Sequence, residues 1–485
     1  MSETDTLIAW VPDLLYAGGA FRRDRALVCD TAGKVLRVAL AHELTGEKRM
    51  RLANRAILPG MINSHSHAFQ RVLRGRTEQR SFSGGLRPAG SGSSPTLNNQ
   101  VTQDSFWTWR ELMYSAATRL SPEDIYDASR MAFMEMALSG ITSVGEFHYL
   151  HHSPAGTPYD DPNLLARQVI RAANEVGLRI ALLRVAYARS GFKTEPNPQQ
   201  IRFIESDPDR YVRNLENLIG DLDQASAASP TPATAWAGVA PHSVRAVPLD
   251  YLRHVIGFAS ERNLNVHMHV AEQPAEISAC IEEYGRSPVA LLDTEGLLSR
   301  GFTAVHAIHV TPKAIASFAK TAAMVCACPT TERNLGDGVV PADEYLKHGV
   351  QICLGTDSHT QIDLFEDARE LEYHLRLQKL ERAVLSGAAA DLFDMATVWG
   401  ARSIGAPSGS LDVGQAADFF TIDLNDPSIA GASDNDLLSG IVFSASRAAI
   451  REVVVGGKPI VSEGQHLTQE EIVERFNELQ KRLWS

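Results

Sequence analysis

Residues 56–67 read AILPGMINSHSH, an apolar run that stops on two histidines one residue apart. Alternate side chains of a strand leave on one face, so His65 and His67 are placed to converge on a single ion. The pattern recurs downstream. Short apolar or β-branched runs at 56–63, 141–147, 179–187, 235–241, 265–270, 303–310, 323–328 and 351–355 alternate with longer stretches of helical periodicity, the βαβα order of a parallel sheet. Seven of the eight stop on chemically capable groups: HSH, EFHY, APHS, HMHVAE, HAIHV, CPTTERN and GTDSH. The predicted fold is therefore α/β, a (β/α)8 TIM barrel over residues 56–407, with the site at the face where the strands end.

Outside that span the character changes. Residues 1–55 and 408–485 read as short strands with Gly and Asp turns, predicted to form one small β-sandwich-like domain from both termini. The amphipathic stretch 469–484 is expected to be a helix packed on that domain. Ser121, Pro122 and Asp124 supply an N-cap, an N1 proline and an approximate capping box for a helix that ends at Gly140. Residues 81–100, SFSGGLRPAGSGSSPTLNNQ, are expected to be a mobile loop after the first barrel strand.

The whole chain has 485 residues, 44% hydrophobic and 21% charged, enough apolar content for a large core and too much for a disordered protein. Its formal net charge of −12 opposes nonspecific binding to nucleic acid or anionic membrane, so neither is an expected partner. Any anionic ligand must be met by local arginines. The five cysteines are odd in number and form no CxxC pair, which fits a reducing compartment better than a disulfide framework. The N-terminus is acidic, and no stretch approaches the ~18 apolar residues of a membrane span. A soluble cytoplasmic protein is expected.

The chemistry gathers at the strand ends. His269, from HMHVAE, and Asp357, from GTDSH, join His65 and His67 to give three imidazoles and a carboxylate, a set suited to zinc or ferrous iron with room for a water. Glu272, three residues after His269, is placed for proton shuttling beside the ion. His306 is a candidate to orient or deprotonate the water, and His309 competes with it. Arg245, just past the fourth strand, can form a bidentate pair with a carboxylate. Cys326 and Cys328 read as buried thiols, His148, His151 and His152 as groups beside rather than on an ion, and the charges of 367–382 as the solvated side of a helix.

In PGMINSHSHAFQR, GITSVGEFHYLHH, APHSVRA, HMHVAEQPAE, HAIHVT, CPTTERNLGDG and GTDSHTQID the chain resembles the amidohydrolase superfamily, in its branch of mononuclear-metal aminohydrolases, and more closely the formimidoylglutamate deiminase family of histidine degradation. The resemblance implies His65, His67, His269 and Asp357 as metal ligands, with Glu272, His306 and Asp357 in proton transfer. Binuclear members carry a lysine at the fourth strand where this chain has AWAGVAPHS, so one divalent ion is expected, zinc first and iron second. The resemblance further implies a homodimer, and Gln70, Arg110, Tyr149, His242 and Arg245 around the substrate. The implied reaction is hydrolysis of N-formimino-L-glutamate to N-formyl-L-glutamate and ammonia. Two other readings compete: the same chemistry on a cyclic amidine such as a purine or pterin, and a barrel that has lost catalysis and serves as an assembly module.

Overall fold

The computed structural model describes residues 7–78, 106–385 and 387–485, so the 81–100 segment lies outside the described residues. Eight parallel strands form the barrel: β1 (Met61–Ser66), β2 (Ile141–His148), β3 (Arg179–Ala186), β4 (Ala235–Pro241), β5 (Val266–Val270), β6 (Phe302–His306), β7 (Met324–Ala327) and β8 (Ile352–Leu354). They pair in chain order. β1 and β8 meet just beyond the end of β8: Asp357 N donates to His65 O at 3.0 Å, and His67 N donates to Asp357 O at 3.1 Å. Side chains reinforce this seam, with Asn63 Nδ2 donating to Thr356 Oγ1 at 2.7 Å and Thr356 N donating to Asn63 Oδ1 at 3.0 Å. A Cβ on Gly355 would lie 2.7 Å from His65 Cβ, so the close approach of the two chain segments requires glycine there.

The run 56–63 proves to be two strands rather than one. Residues up to Pro59 belong to the strand Lys48–Pro59 of the terminal sheet, and the barrel begins at Met61. Gly60 makes the join, its N–H donating to Asp418 O at 3.0 Å. A Cβ at Gly60 would fall 2.3 Å from Thr142 Oγ1. Both strands bury their residues here, which is why the sequence shows one continuous apolar run.

The terminal segments contribute nine strands to one mixed sheet, in which Ile8–Ala17 and Lys48–Pro59 pair in parallel and the other pairs are antiparallel. Arg179, the first residue of β3, ties this sheet to the barrel. Its Nε and Nη2 donate to the two carboxylate oxygens of Asp418 at 2.7 and 3.1 Å, and Gly456 N donates to Asp418 Oδ1 at 2.7 Å. The pair is buried, so each hydrogen bond offsets the desolvation of two charges.

Helix Pro122–Leu138 starts at the expected cap, with Ser121 N donating to Asp124 Oδ2 at 2.9 Å and Asp124 N to Ser121 Oγ at 3.2 Å. The C-terminal helix Gln469–Trp484, expected on the β domain, packs on this barrel helix: Arg130 pairs with Glu471, Arg475 with Asp127 and Arg482 with Asp124. Its buried stripe is Ile472, Phe476, Leu479 and Leu483. Amphipathic spacing fixes which face is covered, and it does not name the cover. The helix Leu364–Lys379 also departs from expectation, because Asp367 and Glu372 are buried. Asp367 accepts from Thr330 N and Oγ1 at 3.0 and 2.8 Å, while Glu372 accepts from Val384 N and Leu385 N, each at 3.0 Å. Among the described residues no helix is long and apolar enough to cross a membrane.

Replacing Asp418 by Asn strands a buried guanidinium without its counter-charge. Urea unfolding should show a loss of about 3–5 kcal/mol, against less than about 0.5 kcal/mol for the exposed control Lys458→Ala. Equal stability of the two variants would deny the pair its role.

Candidate metal centre and active site

The strand ends bring the predicted ligands together. His65 Nε2 lies 3.2 Å from His67 Nε2, and the two lie 3.4 and 3.1 Å from Asp357 Oδ1. The His269 ring, at the end of β5, has its centroid 4.9 Å from that of His65 and 5.5 Å from that of His67. One ligand atom from each of the four residues lies within 4.8 Å of all the others, and all four residues are buried.

Backbone carbonyls set the tautomers. His67 Nδ1 donates to Phe147 O at 3.0 Å, and His269 Nδ1 donates to His242 O at 3.1 Å. A carbonyl only accepts, so these rings carry their proton on Nδ1 and turn the Nε2 lone pair inward. Burial pushes His65 down to about 3 and His269 well below the usual imidazole value. Burial alone would raise Asp357, but its interactions with the neighbouring His65 and His67 rings outweigh it and hold the carboxyl well below its ordinary range. Neutral imidazoles and an ionised carboxylate aimed at one point are the protonation states that a divalent cation requires. The residues fit a metal ion.

His306 ends β6 with Nε2 3.7 Å from Glu272 Oε1 and 3.8 Å from Asp357 Oδ2. His309 is turned away, its Nε2 donating to Asp337 O at 2.8 Å. Of the two competing histidines, the geometry therefore brings His306 to the cluster. Burial would lower the His306 pKa, but with no cation beside them the carboxylates of Glu272, Glu332 and Asp357 outweigh it and raise it to about 10. Burial raises Glu272 as well, and the charge of Asp357 adds to it.

A cavity of about 330 Å³ opens beside these groups, and Gln70, Arg110, Tyr149, His242 and Arg245 all line it. Arg245 Nη1 donates to Ser190 O at 2.9 Å and lies 3.5 Å from Tyr187 Oη. Gln70 Nε2 donates to Tyr149 Oη at 2.8 Å. The Arg110 guanidinium carbon stands 5.3 Å from the centroid of the Tyr114 ring, so Arg110 lines the cavity of its own chain. The remaining conspicuous groups stay outside: His151 and His152 donate Nε2 to Val185 O and Ile204 O at 2.8 and 3.0 Å. Cys326 and Cys328 are buried free thiols.

Two carboxylates in the quoted motifs escaped the sequence reading. Glu146 of EFHY accepts from Ala68 N at 2.8 Å and from Ser66 Oγ, bracing the backbone on either side of His67; burial pushes it up to about 7. Glu332 of CPTTERN accepts from His306 Nδ1 at 3.2 Å. Each is one glutamate among many in the sequence, and only the fold sets it beside a histidine.

Residues 56–460 match the amidohydrolase family, and the chain belongs to that family of hydrolases. It is 36% identical to the formimidoylglutamate deiminase of Pseudomonas aeruginosa over 427 residues, covering 87% of this chain and 88% of that one. An amidohydrolase from Brucella melitensis superposes with a TM-score of 0.84 at 32% identity, covering 99% of this chain and 100% of that one. An adenosine deaminase from Xanthomonas campestris with bound zinc shares the fold, with a TM-score of 0.78 at 22% identity over 99% of this chain and 98% of that one.

Losing a direct ligand should weaken metal binding by more than the roughly 10- to 100-fold that losing a bracing partner costs. Competition against a chromophoric chelator should therefore rank His65→Ala below Glu146→Gln, and both below the unmodified protein. Unchanged affinity in His65→Ala would remove it from the ligand set.

Proposed function

We propose that the protein hydrolyses N-formimino-L-glutamate to N-formyl-L-glutamate and ammonia. One observation carries the reading: a single cavity joins the cluster of three imidazoles and a carboxylate to the guanidinium groups of Arg110 and Arg245. A substrate with an amidine at one end and two carboxylates at the other spans those two poles. A purine or pterin has no pair of carboxylates for two arginines. The relationship to the Pseudomonas aeruginosa deiminase supports the same substrate class.

The ligands in this reading are His65, His67, His269 and Asp357. A single divalent ion, zinc first and iron as the alternative, supplies hydroxide at neutral pH by lowering the pKa of water toward about 7. One ion is proposed because β4 contributes no lysine. Arg245 and Arg110 hold the carboxylates, and Gln70, Tyr149 and His242 flank the formimino group. His306 Nε2 takes the proton of the attacking water, with Asp357 fixing its direction. Oxygen adds to the formimino carbon, and Glu272 Oε1, 3.7 Å from His306 Nε2, delivers a proton to the departing nitrogen. The proton held by His306 then passes to the same nitrogen, the C–N bond breaks and ammonia leaves, and the hydroxyl proton returns to Glu272 as the formyl C=O forms. The same reading assigns the protein to histidine degradation in the cytoplasm, as a homodimer.

Ammonia release from N-formimino-L-glutamate, an uncharged formamidine and a purine tests the substrate. Arg245→Gln removes a charge-assisted pair worth about 1.5–3 kcal/mol, so kcat/KM for formimino-glutamate should fall roughly 10- to 200-fold. The formamidine should be a poor substrate that loses little further. Unchanged turnover in the variant, together with better turnover of the purine, would overturn the reading.

Replacing Glu272 by Gln keeps its shape and removes the titrating proton. Metal content should stay constant while kcat falls by roughly 10² or more. Loss of metal instead would make Glu272 a ligand.

A further inference from the structure

His306 is held twice over. It ends β6 at φ 70°, in the left-handed region that side chains rarely adopt. Hydrogen bonds fix the turn: Ala307 N donates to Val270 O at 3.0 Å, and Tyr345 Oη donates to Ala307 O at 2.6 Å. The ring has its own restraint. Its Nδ1 lies 3.2 Å from Glu332 Oε1, and the same oxygen accepts the Cys328 backbone N–H at 2.9 Å. Glu332 stands in the first turn of the short helix Pro329–Leu335 that follows β7, and both Glu332 and His306 are buried. Among the described residues no other partner competes at Nδ1. On the far side of the ring Nε2 has no hydrogen-bond partner among the described residues and faces Glu272 and Asp357 at 3.7 and 3.8 Å.

Building on the functional reading above, in which His306 moves the proton of the attacking water, we propose that Glu332 is the positioning residue of this base: its carboxylate accepts the Nδ1 proton, fixes the ring and its tautomer, and leaves Nε2 directed into the cavity. An imidazole bound at one nitrogen by a fixed acceptor cannot flip, so the other nitrogen meets the water in one orientation. The backbone bond to Cys328 N makes the acceptor rigid, because Glu332 cannot swing away without stranding a buried N–H. Glu332 is not itself among the residues that line the cavity. It acts through His306.

Two variants and one spectroscopic measurement test this. Glu332→Gln keeps an acceptor oxygen for both partners, whereas Glu332→Ala removes it. With the metal-loaded enzyme and whichever amidine the wild type turns over, Glu332→Ala should lower kcat by roughly 10²-fold or more, with KM within about threefold and metal content unchanged. Glu332→Gln should stay within about tenfold of wild type, which is rescue by the conservative change. In 15N-histidine-labelled wild type, the His306 resonance, located by its loss in His306→Asn, should show a proton on Nδ1. An unprotonated Nδ1 overturns the proposal, whether or not Glu332→Ala folds. So does a Glu332→Ala kcat within about threefold of wild type. A wild type that deaminates some other amidine while Nδ1 remains protonated counts against the substrate reading and supports the role of Glu332.

Discussion

Closure of the barrel is the constraint on which the site depends. β8 is short, and the contact between the first and last strands is made by Asp357, whose N–H and C=O bond the backbone on either side of Ser66. The residue that completes the ring therefore also delivers its carboxylate to His65 and His67. Strand pairing sets the ligand geometry, and side-chain freedom has little part in it. Asn63, Thr356 and Gly355 serve the same seam, two through reciprocal hydrogen bonds and one through the absence of a Cβ. A site built on strand ends inherits the rigidity of the sheet.

The surroundings of the cluster favour neutral rings beside a cation. The Phe147 ring centroid lies 5.0, 5.4 and 4.5 Å from those of His65, His67 and His269, so one apolar side chain packs against all three rings. Desolvation keeps His65 and His269 unprotonated, and the carbonyls of Phe147 and His242 accept from Nδ1 of His67 and His269. The cavity carries both signs: Glu272 and Asp357 line it, and so do the guanidinium groups of Arg110 and Arg245. In a chain of net charge −12, that local reversal of sign is what lets a dianionic ligand in this account enter and fixes its direction.

The barrel and the clustering of His65, His67, His269 and Asp357 were legible in the sequence because both are written at strand ends, where short apolar runs stop on HSH, HMHVAE and GTDSH. Legibility failed where burial on two sides erased a boundary, as at Gly60, where a terminal-sheet strand and a barrel strand read as one. It failed again for contacts between distant elements. The spacing of Ile472, Phe476 and Leu479 announced a buried face but gave no sign that Pro122–Leu138 would cover it. Asp367 and Glu372 looked like solvated charges because their backbone and hydroxyl donors lie on other segments. Glu146 and Glu332 were hidden for the same reason: nothing in the local pattern separates a glutamate that braces a histidine from one that faces water. The choice between His306 and His309 needed the turn after β6, which aims one ring at the cluster and the other at Asp337 O.

Crystallographic anomalous scattering at the metal edge, on protein loaded with ion and N-formyl-L-glutamate, tests the central claim most directly. The account predicts one peak among His65, His67, His269 and Asp357, with the formyl group toward that peak and the carboxylates against Arg110 and Arg245. A peak elsewhere, a second peak of equal height, or carboxylates turned away from both arginines would contradict it.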